Sequence, residues 1–60
     1  MRAKISVELD GKTYTGSYNV KRGVVTVSTL KGHKSTQVGG SPPEVIARML
    51  LRELVSEGKV

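Results

Sequence analysis

The sequence predicts an α+β fold: a three- to four-stranded antiparallel β-meander followed by one C-terminal helix packed on one face of the sheet. Three observations support this. Apolar and polar residues alternate through the first half of the chain, turn dipeptides containing Gly interrupt the alternation at short intervals, and residues 42–56 form a largely apolar stretch without Gly. With 60 residues, the chain is expected to form a single domain, 1–60.

Residues 2–9 are predicted to form the first strand, because their side chains alternate with the period of a half-buried strand. Asp10-Gly11 follows, a dipeptide that favours the positive φ angles of a two-residue hairpin turn. The second strand, residues 12–20, then pairs Leu9 with Lys12, which brings the apolar positions of both strands onto one inner face. The paired inner positions are Val7 with Tyr14, Ile5 with Gly16, Ala3 with Tyr18, and Met1 with Val20.

A second turn at Arg22-Gly23 leads into a third strand over residues 24–30. Lys31-Gly32 is a further turn signal. The sequence leaves open whether residues 33–38 form a short fourth strand. The inward positions of these segments are Val25, Val27, Thr36 and Val38.

Gly16 lies at the centre of the predicted inner face. Glycine weakens a strand interior unless another backbone must come close, so we expect the helix to approach the sheet at this position. Tyr14 and Tyr18 would flank that contact. Their burial would remove the chain's only aromatic rings from any binding surface.

The helix is predicted over residues 42–56 and is expected to end near Gly58. Ser41 is predicted to cap it, with Glu44 completing a capping box. Alternatively, the N–H groups of residues 39–41 would bind an anion at the helix N-terminus.

This helix is apolar around most of its circumference, which is more apolar surface than one sheet covers. We therefore expect a homodimer with helix packed against helix; the alternative is a tolerated exposed apolar patch. The residues predicted to face the sheet are Ile46, Met49, Leu50 and Leu54, and those predicted at the dimer interface are Ala47, Leu51 and Val55.

The net charge of +5 lies in the β half, because residues 1–40 sum to +5 and residues 41–60 sum to zero. The outer sheet face is predicted to be flat and rich in Ser and Thr, with basic groups at its rim. Such a face suits DNA or RNA backbone, where these side chains contact phosphate without reading sequence. The residues predicted to bind nucleic acid are Arg2, Lys4, Lys12, Lys21, Arg22, Lys31, His33 and Lys34.

Two other interpretations of these features stay open. Ser and Thr are also good solvated strand formers, and positive charge also serves solubility. The chain would then be a protein-interaction or homodimerisation module, with the first or the fourth strand offering an open edge to a partner's strand.

No constellation of residues points to catalysis, so we expect the chain not to be an enzyme. His33 has no carboxylate near it in sequence, and one His without any Cys does not supply a metal site. We likewise expect no cofactor and no small-molecule substrate. No apolar stretch is long enough to span a membrane or resembles a signal peptide, so a cytoplasmic location is expected.

The order of hairpin-linked strands followed by one helix, in a basic chain of this size, resembles the plant ethylene-response DNA-binding domain and the arm-binding domain of phage-type integrases. The resemblance is one of architecture. Those families read DNA with Arg, Trp or other large side chains on the sheet, whereas the outward positions here are Ser and Thr, and Trp is absent. The stretch 39–44 with residues 46–55 also resembles short bacterial proteins of unassigned activity.

Overall fold

The computed structural model describes residues 2–60, which form one four-stranded antiparallel sheet and one helix packed against it. The strands are adjacent in chain order, and the fourth strand, which the sequence left open, is formed. The predicted α+β class is therefore confirmed. The elements are β1 Ala3–Leu9, β2 Lys12–Lys21, β3 Val24–Ser28, β4 His33–Gln37 and α1 Pro43–Ser56.

Two tight turns fix the register of the first three strands. Asp10 and Arg22 have φ angles of 53°, and the glycines that follow each have a φ of 77°, as two-residue hairpin turns require. Leu9 lies opposite Lys12, and Tyr18 lies opposite both Ala3 and Val27. The predicted pairings are thus confirmed, except that of Met1 with Val20, which lies outside the described residues.

The third turn is longer than predicted, and β3 ends at Ser28 rather than at residue 30. The Thr29 side chain causes this, because its Oγ1 accepts hydrogen bonds from the N–H groups of Lys31 and Gly32. A Thr hydroxyl that bonds the backbone two and three residues on stabilises a turn instead of a ladder. Leu30 consequently projects from the turn, fully exposed.

The core lies between the inner sheet face and α1, and the Leu51 side chain of the helix lies over Gly16. A Cβ atom at Gly16 would lie 3.2 Å from Leu51 Cδ1 and 3.1 Å from the carbonyl oxygen of Ser28. The helix thus contacts the sheet at Gly16 as predicted, although through the Leu51 side chain and not through its backbone, and both tyrosines pack half-buried around this core. The buried residues are Ile5, Val7, Val25, Val27, Ala47, Leu50, Leu51 and Leu54.

The rotation of α1 about its axis differs from the prediction. Ala47 and Leu51, predicted at a dimer interface, are 0% exposed against the sheet, and Val55 is half-buried beside them. Met49, predicted to face the sheet, is 48% exposed. At 100° per residue Glu53 lies between Met49 and Ile46 around the helix, so burying that side would also bury a carboxylate.

The helix begins one residue later than predicted, and Ser41 does not cap it. Pro42 occupies the N-cap position with φ −59° and ψ 136°, and the cap has no side-chain hydrogen bond. The residue before a proline is disfavoured in the helical region, so Pro43 prevents Pro42 from starting the helix.

α1 ends at Ser56, close to Gly58 as predicted, and the φ angle of Gly58 is 74°. The Gly58 N–H donates to the Val55 carbonyl at 3.0 Å, and the Lys59 N–H donates to the Leu54 carbonyl at 2.8 Å. This pair of bonds is a Schellman motif, which closes the helix with a left-handed glycine.

Candidate nucleic-acid interface

The outer sheet face is built of short polar side chains that the register aligns in rows across the strands. One row crosses all four strands, and the next crosses β2, β3 and β4. Because alternate residues of a strand share a face, every member of these rows points away from α1. The first row is Lys4, Ser17, Ser28 and His33, and the second is Asn19, Thr26 and Ser35.

Four cations border two shallow, open depressions on this face. Arg2 and Lys4 line one of about 340 Å³, and Lys21 and Arg22 line another of about 440 Å³. Both depressions mix apolar residues, Leu30 in the first and Val24 in the second, with hydroxyl and amide groups that can hydrogen-bond phosphate and sugar oxygens. These polar groups include Ser17 and Ser28 in the first depression and Asn19 and Thr26 in the second.

Two further predicted site residues lie away from the middle of the face. Lys12 pairs with Leu9, so its side chain has the parity of the inner face, at the first hairpin turn. Lys31 lies in the turn between β3 and β4. His33, by contrast, lies on the outer face opposite Ser28, as predicted.

Lys34 was predicted at the rim of the outer face and lies instead on the helix side of the sheet. It pairs with Val27, a buried inner residue, so the alternation of β4 directs it toward α1. Its Nζ donates a hydrogen bond of 3.0 Å to Glu53 Oε1 and also contacts Glu57 Oε2. Lys34 is therefore occupied by the helix and is not part of the outer face.

These contacts shift the protonation equilibria of both partners. The hydrogen bonds that Lys34 donates to Glu57 and Glu53 raise the pKa of its ammonium group above the ordinary lysine value. The bond from Lys34 likewise lowers the pKa of the Glu57 carboxyl group. Both shifts reflect the favourable interaction of the charged forms, and this ion pair ties β4 to the C-terminal end of α1.

The ion pairs leave most of the unpaired positive charge on the β half. All three helix-layer carboxylates have cationic partners: Glu44 with Arg48 at 3.7 Å, Glu53 with Lys34, and Glu57 with Lys34 and Lys59. These three acids and three bases sum to zero. Among residues 2–60, the cations outside any ion pair are Arg2, Lys4, Lys12, Lys21, Arg22, Lys31 and Arg52, against Glu8 and Asp10, which is seven minus two, or +5.

No aromatic ring lies on the outer face of the described chain. Tyr14 and Tyr18 both pack against the core on the helix side, and the sequence contains no Phe or Trp. Unpaired bases bind sheet surfaces chiefly by stacking on exposed rings. The face is thus suited to contacts with phosphate and sugar and not to base stacking.

Thr29, which was not among the predicted site residues, joins the turn between β3 and β4 to the C-terminal segment. Its Oγ1 donates to the backbone oxygen of Lys59, and the Lys59 side chain lies over Gly32. A Thr two residues before a Lys-Gly turn is the sequence signal for such a hydroxyl-bonded turn. The turn that carries Leu30 and Lys31 is thereby held in place.

Within residues 2–60, no three His, Asp or Glu side chains are grouped as a metal site would require. The helix of this part of the chain is too short and too polar to cross a bilayer. Comparison of the chain with protein-family models, with curated proteins and with solved structures gave no match.

Proposed function

We propose that this protein binds the sugar-phosphate backbone of nucleic acid with the outer face of its sheet. The distribution of charge supports this proposal most directly. The charges of residues 41–60 sum to zero, and six of the seven cations without ion pairs belong to the β half. Such a surface favours binding of a polyanion, because each phosphate that a cation neutralises releases condensed counterions.

The chemistry of the face favours binding without sequence preference. Ser, Thr, Asn and Lys side chains contact phosphate and sugar oxygens, which position a protein but carry no sequence information. Reading bases would require convergent Arg, Asn or Gln side chains in a groove. Asn19 is the one residue of these types in the two central rows, with Ser and Thr around it.

Salt titration of binding tests the proposal. On duplex DNA, the logarithm of the binding constant should fall with log[salt] with a slope of roughly −3.6, if four cations each contact one phosphate. These cations are Arg2, Lys4, Lys21 and Arg22. Fluorescence anisotropy with a labelled duplex and a labelled single strand of equal length measures it. Absence of binding to either probe at low salt would rule the proposal out.

Charge-removing variants locate the interface. Arg2→Gln and Lys21→Gln should each reduce the magnitude of the slope by about 0.9, since each removes one phosphate contact. Arg52→Gln is the matched control. Arg52 is also an exposed cation outside the ion pairs, but it lies on the helix and not on the sheet. Equal effects of Arg52→Gln and Arg2→Gln would show that charge attracts the polyanion without a defined face.

The second candidate function is a protein-interaction or homodimerisation module. The open edge of β1 favours it, because a seven-residue strand there has a neighbour on one side only. In that case positive charge serves solubility, and neither nucleic-acid probe binds.

A further inference from the structure

The two edges of the sheet differ in how well they are protected against pairing with another strand. β4 is five residues long and entirely polar, and its inward-pointing Lys34 is held by two glutamates of α1. Inward charges and short polar strands are devices that natural proteins use to block edge pairing. The β4 edge is therefore closed.

β1 is neither short nor wholly polar, and none of its inward positions is charged. It runs for seven residues, each paired one to one with β2 and thus without a bulge, and it contains neither Pro nor Gly. Its inward positions are all apolar, and its centre is buried at Ile5 and Val7. A long, regular edge of this kind is a template for pairing with a further strand.

The first hairpin determines which backbone groups that edge presents. A two-residue turn is closed by a hydrogen-bonded pair, here Leu9 with Lys12, and such pairs alternate along an antiparallel ladder. The inward residues of β1 therefore bond to β2. The N–H and C=O groups of Lys4, Ser6 and Glu8 point to the open side.

The sequence of β1 is complementary to itself in the antiparallel direction. With Ser6 opposite Ser6 of a second copy, Lys4 lies opposite Glu8 and Glu8 opposite Lys4, all of them residues whose backbone groups point outward. Ile5 then lies opposite Val7 on the inner face. Opposite charges and apolar pairs placed directly across strands stabilise a sheet. Registers centred on Lys4 or Glu8 would instead oppose like charges.

We propose that two copies of this chain pair through β1, in the register centred on Ser6, to form a continuous eight-stranded sheet. Pairing also places Lys4 beside Glu8, the one acidic side chain that alternation directs to the outer face in the described strands.

Edge-specific proline variants test the pairing. Sedimentation equilibrium in a dilution series should show a particle of twice 6.5 kDa, or 13 kDa, that dissociates on dilution. Ser6→Pro removes an outward N–H at the centre of the interface without touching the β1–β2 ladder, and should raise the dimer dissociation constant at least about tenfold. Ser35→Pro is the matched control, because by the same alternation the Ser35 N–H points away from β3 at the β4 edge.

A charge exchange tests the register without proline. Lys4→Glu places Glu opposite Glu8, and Glu8→Lys places Lys opposite Lys4, so each variant alone should be largely monomeric. An equimolar mixture of the two variants restores both opposite-charge pairs and should recover the 13 kDa particle (twice 6.5 kDa).

Three results would overturn the proposal. The first is a 6.5 kDa particle at every concentration of the unmodified chain. The second is dissociation by Ser35→Pro with an intact dimer in Ser6→Pro. The third is a mixture of the two charge variants that stays monomeric. All of these readouts are masses, so none of them depends on whether the outer face binds nucleic acid.

Discussion

Truncation of Leu51 tests the placement of the helix more sharply than any other single change. Leu51 is 0% exposed, and its Cδ1 reaches the position over Gly16. Leu51→Ala removes about three buried carbons at about 0.8 kcal/mol each and leaves a cavity, for a loss of about 3 kcal/mol. A domain of 60 residues has a free energy of unfolding of roughly 3 to 9 kcal/mol, so the loss is a third or more of the total.

Urea denaturation followed by far-UV circular dichroism measures this loss. The protein concentration should be so low that further dilution no longer changes the urea midpoint, which ensures that the monomer is measured. The thermal midpoint should fall by roughly 12 to 24 °C. Met49→Ala is the matched control, because Met49 is of similar size on the same helix and is 48% exposed. We expect it to cost less than about 1 kcal/mol.

The reverse ranking would refute the placement of the helix. If Met49→Ala cost about 3 kcal/mol and Leu51→Ala were nearly neutral in the monomer, the helix would present its other side to the sheet. Ala47 and Leu51 would then be available to a second copy, as the sequence alone suggested. Equal losses from both variants would mean that the helix has no fixed rotation.

Two further predictions concern the contacts that hold the helix's C-terminal end. Thr29→Val should lower the free energy of unfolding by about 1 to 2 kcal/mol in urea denaturation, because it removes the hydroxyl that bonds the Lys59 carbonyl, whereas Thr26→Val on the outer face should be nearly neutral. Stability should also fall as pH drops below the ordinary glutamate value of 4.5, because the Lys34 hydrogen bond lowers the folded-state pKa of Glu57, so the unfolded chain binds the proton first. The thermal midpoint of Glu57→Gln should lose less over this acid range, and coincident pH profiles of variant and wild type would contradict the assignment.

The sheet could be predicted from the sequence because two independent constraints agree. Asp10-Gly11 and Arg22-Gly23 each demand a two-residue turn, and the register that each turn imposes also puts the apolar residues of neighbouring strands on one face. A shift of the pairing register by one residue would turn every side chain of the strand to the opposite face of the sheet. Gly16 was informative for the same reason, since only a close approach explains a glycine at the centre of that face.

The rotation of the helix could not be predicted in the same way, because apolar side chains surround most of its circumference. The stripe Ala47, Leu50, Leu51 and Leu54 competes with one through Ile46 and Met49, and hydrophobicity alone does not separate them. The contact of Glu53 with Lys34 distinguishes the two stripes, because it fixes which side of the helix faces β4. The sequence left open whether β4 forms, so this contact could not be predicted. The inward position of Lys34 follows from the same alternation that directs Thr36 inward, whereas its positive charge favours the rim of the outer face, where it was predicted.

Lys4 is the residue at which the two proposals meet, and its chemistry shows how they can be separated. On the outer face it contributes positive charge toward phosphate, while at the β1 edge it pairs with Glu8 of a second copy, which leaves less of that charge for a polyanion. A Lys4 variant therefore changes both properties at once. Ser6→Pro removes a backbone donor and no charge, and Lys21→Gln removes a charge on β2 beyond the segment that pairs with β1. If Lys21→Gln changes only the salt dependence of binding and Ser6→Pro changes only the mass of the particle, the outer face and the β1 edge act as independent surfaces of one sheet.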